Sequence, residues 1–239
     1  VARRQARRWL LVAGLALAVG WPAERLARAR PLAVAAGGPG EPLVAVELVD
    51  MLRLGIDQAT EALGRPGGFA DDPAVRIVLP GGLGDVRDGL VGAGLGRLVE
   101  TLESRMNRAA EAAMPEAGAV LRESLVALTI EDPAALLAGP DDGATVHFAT
   151  QALPALVAGL TPVIETTLVD AGAVEAFDTF VTEYSSLPLM PDIRGTLTAH
   201  VVDGALAGLL NHIARAEREM RRDPAARIAE PLRRAFGAG

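Results

Sequence analysis

From Val44 onward the apolar residues recur at spacings of three and four, and this periodicity settles the fold class before any motif is sought. Val44, Leu48, Met51, Leu52, Ile56, Ala59 and Leu63 share one helical face, while Glu47, Asp50, Arg53, Asp57 and Glu61 fall opposite. The same spacing starts again at Leu83, pauses at Gly92, Gly94 and Gly96, and continues from Leu98 to Ala113. The Gly pause reads as a break where two helices pack closely. Further helices are expected over about 116–128, after Thr129 as N-cap with Pro133 in the first turn, over 141–168, over 174–184, over 192–222, and from Asp223 to Phe236. Pro154 and Pro162 lie inside the longest run and predict kinks or breaks there. A Gly/Pro loop over 65–82 holds one short extended piece, Ala74 to Val78, and a single piece makes no sheet. The expectation is an all-α fold: a single multi-helix bundle with one long Gly/Pro loop and proline-broken helices.

The N-terminal stretch has a different grammar. Arg3, Arg4, Arg7 and Arg8 precede an apolar run from Trp9 to Val19, followed by Pro22 and small residues, the order of a secretory signal. Eleven apolar residues fall short of the roughly 20 that span a bilayer. Residues 1–36 are therefore expected to be removed on export, with cleavage after Ala35 (Ala33-Val34-Ala35) or earlier, near Ala29, and 37–42 reads as a Gly/Pro linker to a domain over 43–237. This predicts a periplasmic protein without a transmembrane span in its mature chain. Removing 1–36 takes seven of 23 arginines and one of 30 acids, leaving 16 positive against 29 negative groups, a net charge of −13. That field repels phosphate and anionic headgroups, so nucleic acid is not an expected partner.

Little in the chain points to catalysis. With no cysteine there is neither a disulfide scaffold nor a thiol nucleophile. Gly92-Ala93-Gly94-Leu95-Gly96 lacks the spacing and the preceding strand of a dinucleotide loop. His147, His200 and His212 do not stand three or four residues apart, so no metal is expected, although His200 and Asp203 share a face. No cofactor motif and no nucleophile elbow is present. The acidic pairs Asp71-Asp72, Glu131-Asp132 and Asp141-Asp142 stand beside Pro or Gly, where carboxylates cap helix starts; general acid/base work is the alternative.

The least ordinary element is Met106-Asn107-Arg108-Ala109-Ala110-Glu111. Arg108 and Glu111 are i, i+3 neighbours that can pair. If their face is buried, the pair needs further hydrogen-bond partners, which Asn107 or the carbonyls around Arg76 are placed to supply. Arg76, Asn107, Arg108, Glu111, Glu131 and Asp132 are thus the candidate residues, either of an internal polar clamp tying the loop 68–80 to its helix or of a binding site in which Arg recognises an anion.

These stretches also carry a resemblance. Gly68-Phe69-Ala70-Asp71-Asp72-Pro73-Ala74-Val75-Arg76-Ile77-Val78-Leu79-Pro80, Met106 to Glu111, Thr129-Ile130-Glu131-Asp132, Asp141 to Thr145, and the ending with Asp203-Gly204, Glu217, Arg222-Asp223-Pro224 and Phe236-Gly237 resemble the bacterial envelope family Domain of Unknown Function 4197. The resemblance spans about 43–237 and implies an exported, mostly helical domain without implying an activity. His200 and the stretch 171–191 depart from it. The leading reading is a non-enzymatic binding or interaction module for an apolar ligand or an envelope partner. The competitors are a hydrolase using carboxylates and Arg near the loop 68–80, and a structural or chaperone-like envelope protein with an exposed apolar patch.

Overall fold

A computed structural model describes residues 41–79, 91–92, 94–184 and 197–222. The export signal, most of the linker, the segment from Leu83 to Leu90, Asp192 and the helix expected after Asp223 lie outside the described residues. Among those described, the chain is all-α: α1 Glu41–Leu63, α2 Gly96–Ala112, α3 Met114–Val126, α4 Pro133–Ala138, α5 Gly143–Asp170, α6 Ala173–Tyr184 and α7 Leu197–Arg222, with no strand among them. Glu41 and Pro42, expected in the linker, already belong to the first turn of α1.

The helices form two compact units. One gathers the described residues up to Ala59, Leu121–Pro154 and those from Leu209 onward; the other gathers Thr60–Val120 and Ala155–Gly208. In the first unit the apolar face of α1 (Leu48, Met51, Leu52, Ile56) is buried, as are Leu121, Leu125, Phe148, Leu209, Leu210 and Ile213. Gly55 lets α1 approach α7, since a Cβ there would stand 3.3 Å from Ile213. In the second unit α2 buries Val99, Leu102, Met106 and Ala110, α5 buries Leu156, Leu160, Ile164 and Leu168, and α6 packs on α2 with Phe177 and Phe180 buried.

Three local expectations change. First, α5 continues unbroken through Pro154 and Pro162. Both prolines lie on its exposed face, while the buried stripe from Leu153 to Leu168 holds the helix. Second, α4 is capped by Asp132, whose Oδ1 accepts from Ala135 N at 2.8 Å, and not by Thr129. Pro133 stands at the first helical position and disfavours helical geometry in the residue before it, so the helix starts there. Third, the Gly pause before α2 is a matter of backbone: Gly94 has φ +87°, and an added Cβ at Gly92 or Gly94 would meet nothing within 4 Å.

Candidate functional site

The second unit holds the polar cluster around the 68–80 loop. Glu103, Asn107 and Glu111 follow one another at i, i+4 and i+8, so they form a single row along α2, and all three are buried. The row faces the loop and meets it as a neighbouring strand would. Glu111 Oε1 accepts from Phe69 N at 3.2 Å and Ala70 N at 3.3 Å. Asn107 takes both backbone groups of Ile77, accepting from its N–H at 2.9 Å and donating to its carbonyl at 2.7 Å. Glu103 Oε1 accepts from Leu79 N at 3.2 Å, and its other oxygen lies 3.7 Å from the half-exposed guanidinium of Arg76.

Side chains complete the hold. Val75, Ile77 and Leu79 are buried while Arg76 and Val78 point outward, the alternation of an extended segment. Their floor is α7, notched at Gly204 and Gly208: a Cβ at Gly204 would stand 2.9 Å from Ile77 Cγ1, and one at Gly208 would stand 2.6 Å from Phe69 Cε1. His200 closes the edge, with Nε2 2.6 Å from the carbonyl of Val78. A carbonyl only accepts, so that nitrogen carries the proton. One turn on, partial burial raises the Asp203 carboxyl above its ordinary value, and the nearby His200 opposes the rise.

Of the candidates read from sequence, Arg76, Asn107 and Glu111 therefore meet at the loop, joined by Glu103, which the sequence reading did not single out. Arg108 does not join them. It follows Asn107 by one residue, about 100° around the helix, faces solvent, and makes no hydrogen bond or ion pair with Glu111. Glu131 and Asp132 belong to the other unit; Glu131 is exposed and Asp132 caps α4.

In the first unit a further buried carboxylate, which the sequence placed only within the resemblance, organises a second cluster. Glu217 on α7 caps α5: its oxygens accept from Ala144 N at 3.0 Å, Thr145 N at 2.7 Å and Thr145 Oγ1 at 2.6 Å. Arg221, one turn on, pairs with Glu217 at 2.7 Å and donates to the carbonyls of Leu137 at 2.7 Å and Leu136 at 3.4 Å near the end of α4. One ion pair thus sets negative charge at the start of one helix and positive charge at the end of another, which suits both dipoles. The i, i+4 order Glu217 then Arg221 was the available signal. Of the aspartates expected to cap α5, Asp142 is buried immediately before Gly143, its carbonyl accepts from Val146 N at 3.1 Å and its side chain pairs with Arg218 at 3.2 Å, while the exposed Asp141 pairs with Arg222 at 3.4 Å.

Chemically, these two clusters bind the protein's own backbone. Thr145, the one hydroxyl within 2.6 Å of a carboxylate in them, is fully buried. Among the described residues no group of three or more His, Asp or Glu is placed to hold a metal ion.

A different surface remains open. In the first unit the outer stripe of α1 (Ala45, Val46, Val49, Asp50, Arg53) and the segment after α3 (Leu128, Ile130) line a groove of about 310 Å³ that is open to solvent. Its far wall is extended and is held from behind by α5. Gln151 accepts from Thr129 N at 3.2 Å and donates to Thr129 O at 2.8 Å, and His147 Nε2 stands 2.8 Å from the same carbonyl. Thr129 is so held that its neighbours Leu128 and Ile130 line the groove, and Val126, 87% exposed, stands just before them. Arg53 and Asp50 at the groove neutralise each other at 2.9 Å.

A family model described as a protein of unknown function (DUF4197) matches residues 44–237. No curated protein and no solved structure matches the chain.

Proposed function

We propose that this chain, which belongs to the DUF4197 family of proteins of unknown function, is an exported, non-catalytic helical module that docks an apolar group of a ligand or envelope partner in the groove between α1 and Leu128–Ile130. The groove is the observation that carries the reading. Its volume is at the lower end of the roughly 300–1,000 Å³ usual for small-molecule sites, it is lined by Val46, Val49, Leu128 and Ile130, and its extended wall is fixed by two side chains of α5. By contrast, the carboxylates near the 68–80 loop, on which a hydrolase would depend, are taken up by Phe69, Ala70 and Leu79 backbone N–H groups.

Export rests on the basic and apolar order of residues 3–19. Among the described residues, α5 is long and apolar enough to cross a membrane by length and composition. We read it as a core helix, because Phe148, Leu153, Leu156, Leu160, Ile164 and Leu168 are buried by the protein itself.

The test is native mass spectrometry, with and without organic extraction, on protein released gently from the periplasm. The expected result is a chain shortened near residue 36 that carries an apolar adduct or partner, and the adduct or partner is lost in the Val49→Ser/Ile130→Ser variant. Retention of the chain in the cytosol would overturn export. An adduct or partner that survives the double substitution would overturn the groove.

A further inference from the structure

Most arginines in this chain already have a partner. Eight of the eleven among the described residues form an ion pair with a carboxylate, and the other three, Arg97, Arg105 and Arg108, all stand on α2 in the second unit. Arg105 is turned to the end of α5, where it donates to the carbonyls of Gly172 at 2.9 Å and Ala171 at 3.4 Å. Arg97 and Arg108 are exposed, and no hydrogen bond or ion pair among the described residues engages either guanidinium. Glu100 stands three residues after Arg97 without pairing with it. Between the two arginines lie Thr101 and Ser104, also exposed, and the Thr101 hydroxyl donates to the Arg97 carbonyl at 2.7 Å. On an α-helix, positions 97, 101, 104 and 108 fall within about 60° of arc and span about 16 Å. They form a straight row with a cation at each end and two short hydroxyl side chains in the middle.

Independently of the groove, we infer that this row is a docking face for an acidic segment of a partner protein, one whose carboxylates stand about three helical turns apart. Charge complementarity sets the sign, because a guanidinium without a partner offers its fork of donors to a carboxylate. The sparseness of the charges sets the class. The chain carries a formal charge of −7, so a dense polyanion such as polyphosphate adds repulsion with every charge beyond the two that arginine meets. A protein segment supplies carboxylates at those two places alone. Its backbone can come close over Thr101 and Ser104, which are too short to hold it away. The opposite side of α2 is fixed to the 68–80 loop by Glu103, Asn107 and Glu111, so the row is in place before anything docks on it. Both charge pairs stay at the surface, and they add register and steering more than affinity.

The experiment follows backbone amide shifts of the isotope-labelled mature chain by NMR while synthetic Ala/Gln-based helical peptides are added to millimolar concentration. The first peptide carries two Glu three turns apart on one face, the second has the same composition with the two Glu on opposite faces, and the third has Lys in place of Glu. The first should move the amides of residues 97–108, less at physiological than at low salt. The second should bind at least threefold more weakly, and the third should leave α2 unmoved. In Arg97→Gln/Arg108→Gln, whose side chains hold nothing in the fold, the affinity for the first peptide should fall about three- to tenfold at an unchanged melting temperature. No shift on α2, equal binding of the first two peptides, or unchanged affinity in the double variant would overturn the proposal. Tighter binding of inorganic polyphosphate or phosphatidylglycerol vesicles at the same amides would replace the protein partner with a phosphate surface. A dimer of the chain alone in sedimentation velocity, dissociated by the same two substitutions, would replace it with a second copy of this chain.

Discussion

Replacing Asn107 with Leu isolates the hold on the 68–80 loop, because the two side chains are similar in size and the exchange removes hydrogen bonds without opening a cavity. The backbone N–H and carbonyl of Ile77, bonded to Asn107 at 2.9 and 2.7 Å, would both lose their partner where Ile77 is only 3% exposed. Each orphaned buried group costs about 1–3 kcal/mol. Arg76 and Val78 on either side are exposed, so water reaches part of the segment and a total near 3 kcal/mol is expected. For a chain of this length that lowers the melting temperature by about 6–12 °C. The adjacent Arg108→Leu, on the solvent side of the same helix, should stay within about 0.5 kcal/mol of wild type. Urea titration of both variants at unchanged m-value, with calorimetry alongside, measures the contrast. An Asn107→Leu change below about 1 kcal/mol, or equal effects from the two substitutions, would refute the idea that the row on α2 holds the loop's backbone.

Four further outcomes follow from the same geometry. Glu217→Ala leaves the Arg221 side chain, only 10% exposed, without its carboxylate and should destabilise by about 3–5 kcal/mol in chemical denaturation. Gly208→Ala sets a methyl 2.6 Å from Phe69 Cε1; the overpacking, about 1–3 kcal/mol, should outweigh the roughly 1 kcal/mol gain in helix propensity, and Phe69→Leu should restore part of the loss in a double-mutant cycle. The raised Asp203 carboxyl means that the folded state binds its proton more tightly than the unfolded chain, so this group adds stability as pH falls and withdraws it as pH rises from the unfolded pKa through the folded one. Asp203→Asn should therefore be the more stable protein at pH 7, with its advantage shrinking as both are titrated below the carboxylate range. Gln151→Leu removes both hydrogen bonds to Thr129 and should speed amide exchange of residues 128–130 with little change in global stability; protection equal to wild type would show that His147 alone suffices.

Helix identity was legible because burial on one face writes a period into the sequence: Leu48, Met51, Leu52 and Ile56 announced α1, and Ala173–Tyr184 emerged from Val174, Phe177, Val181 and Tyr184, of which Phe177 and Val181 are buried. What the period does not encode is the partner of a polar side chain. Asn107 and Glu111 drew notice for standing in an otherwise apolar helix, and they meet the loop. Arg108 drew notice as the i, i+3 neighbour of Glu111, but it is exposed where the adjacent Asn107 is buried, because one residue on a helix turns the side chain by about 100°. Glu217 reaches Ala144 and Thr145 across 73 and 72 residues of chain, and its i, i+4 order with Arg221 marks a pair without naming those backbone partners. The groove was less legible still. Val46, Val49, Leu128 and Ile130 read as ordinary members of apolar stripes, and only the packing shows which of them the core leaves uncovered.

Asn107 and Gln151 solve the same problem in the two units. A carboxamide offers one acceptor and one donor at the spacing of a backbone N–H and carbonyl, so a single side chain on a helix replaces the neighbouring strand that an extended segment otherwise needs. This is how an all-α protein holds extended chain without a sheet. The two cases differ in what lies on the other side. At Ile77 the alternating side chains sink onto α7, whose glycines at 204 and 208 are cut to receive Ile77 and Phe69, and the segment becomes core. At Thr129 the flanking Leu128 and Ile130 meet only the outer stripe of α1 and stay half-buried. Fixing the backbone of an apolar segment while leaving its side chains partly in water forgoes the burial that would stabilise the fold, about 25 cal/mol for each Å² left uncovered. A segment fixed in this way is already ordered before anything docks on it, which lowers the entropic cost of binding to that surface.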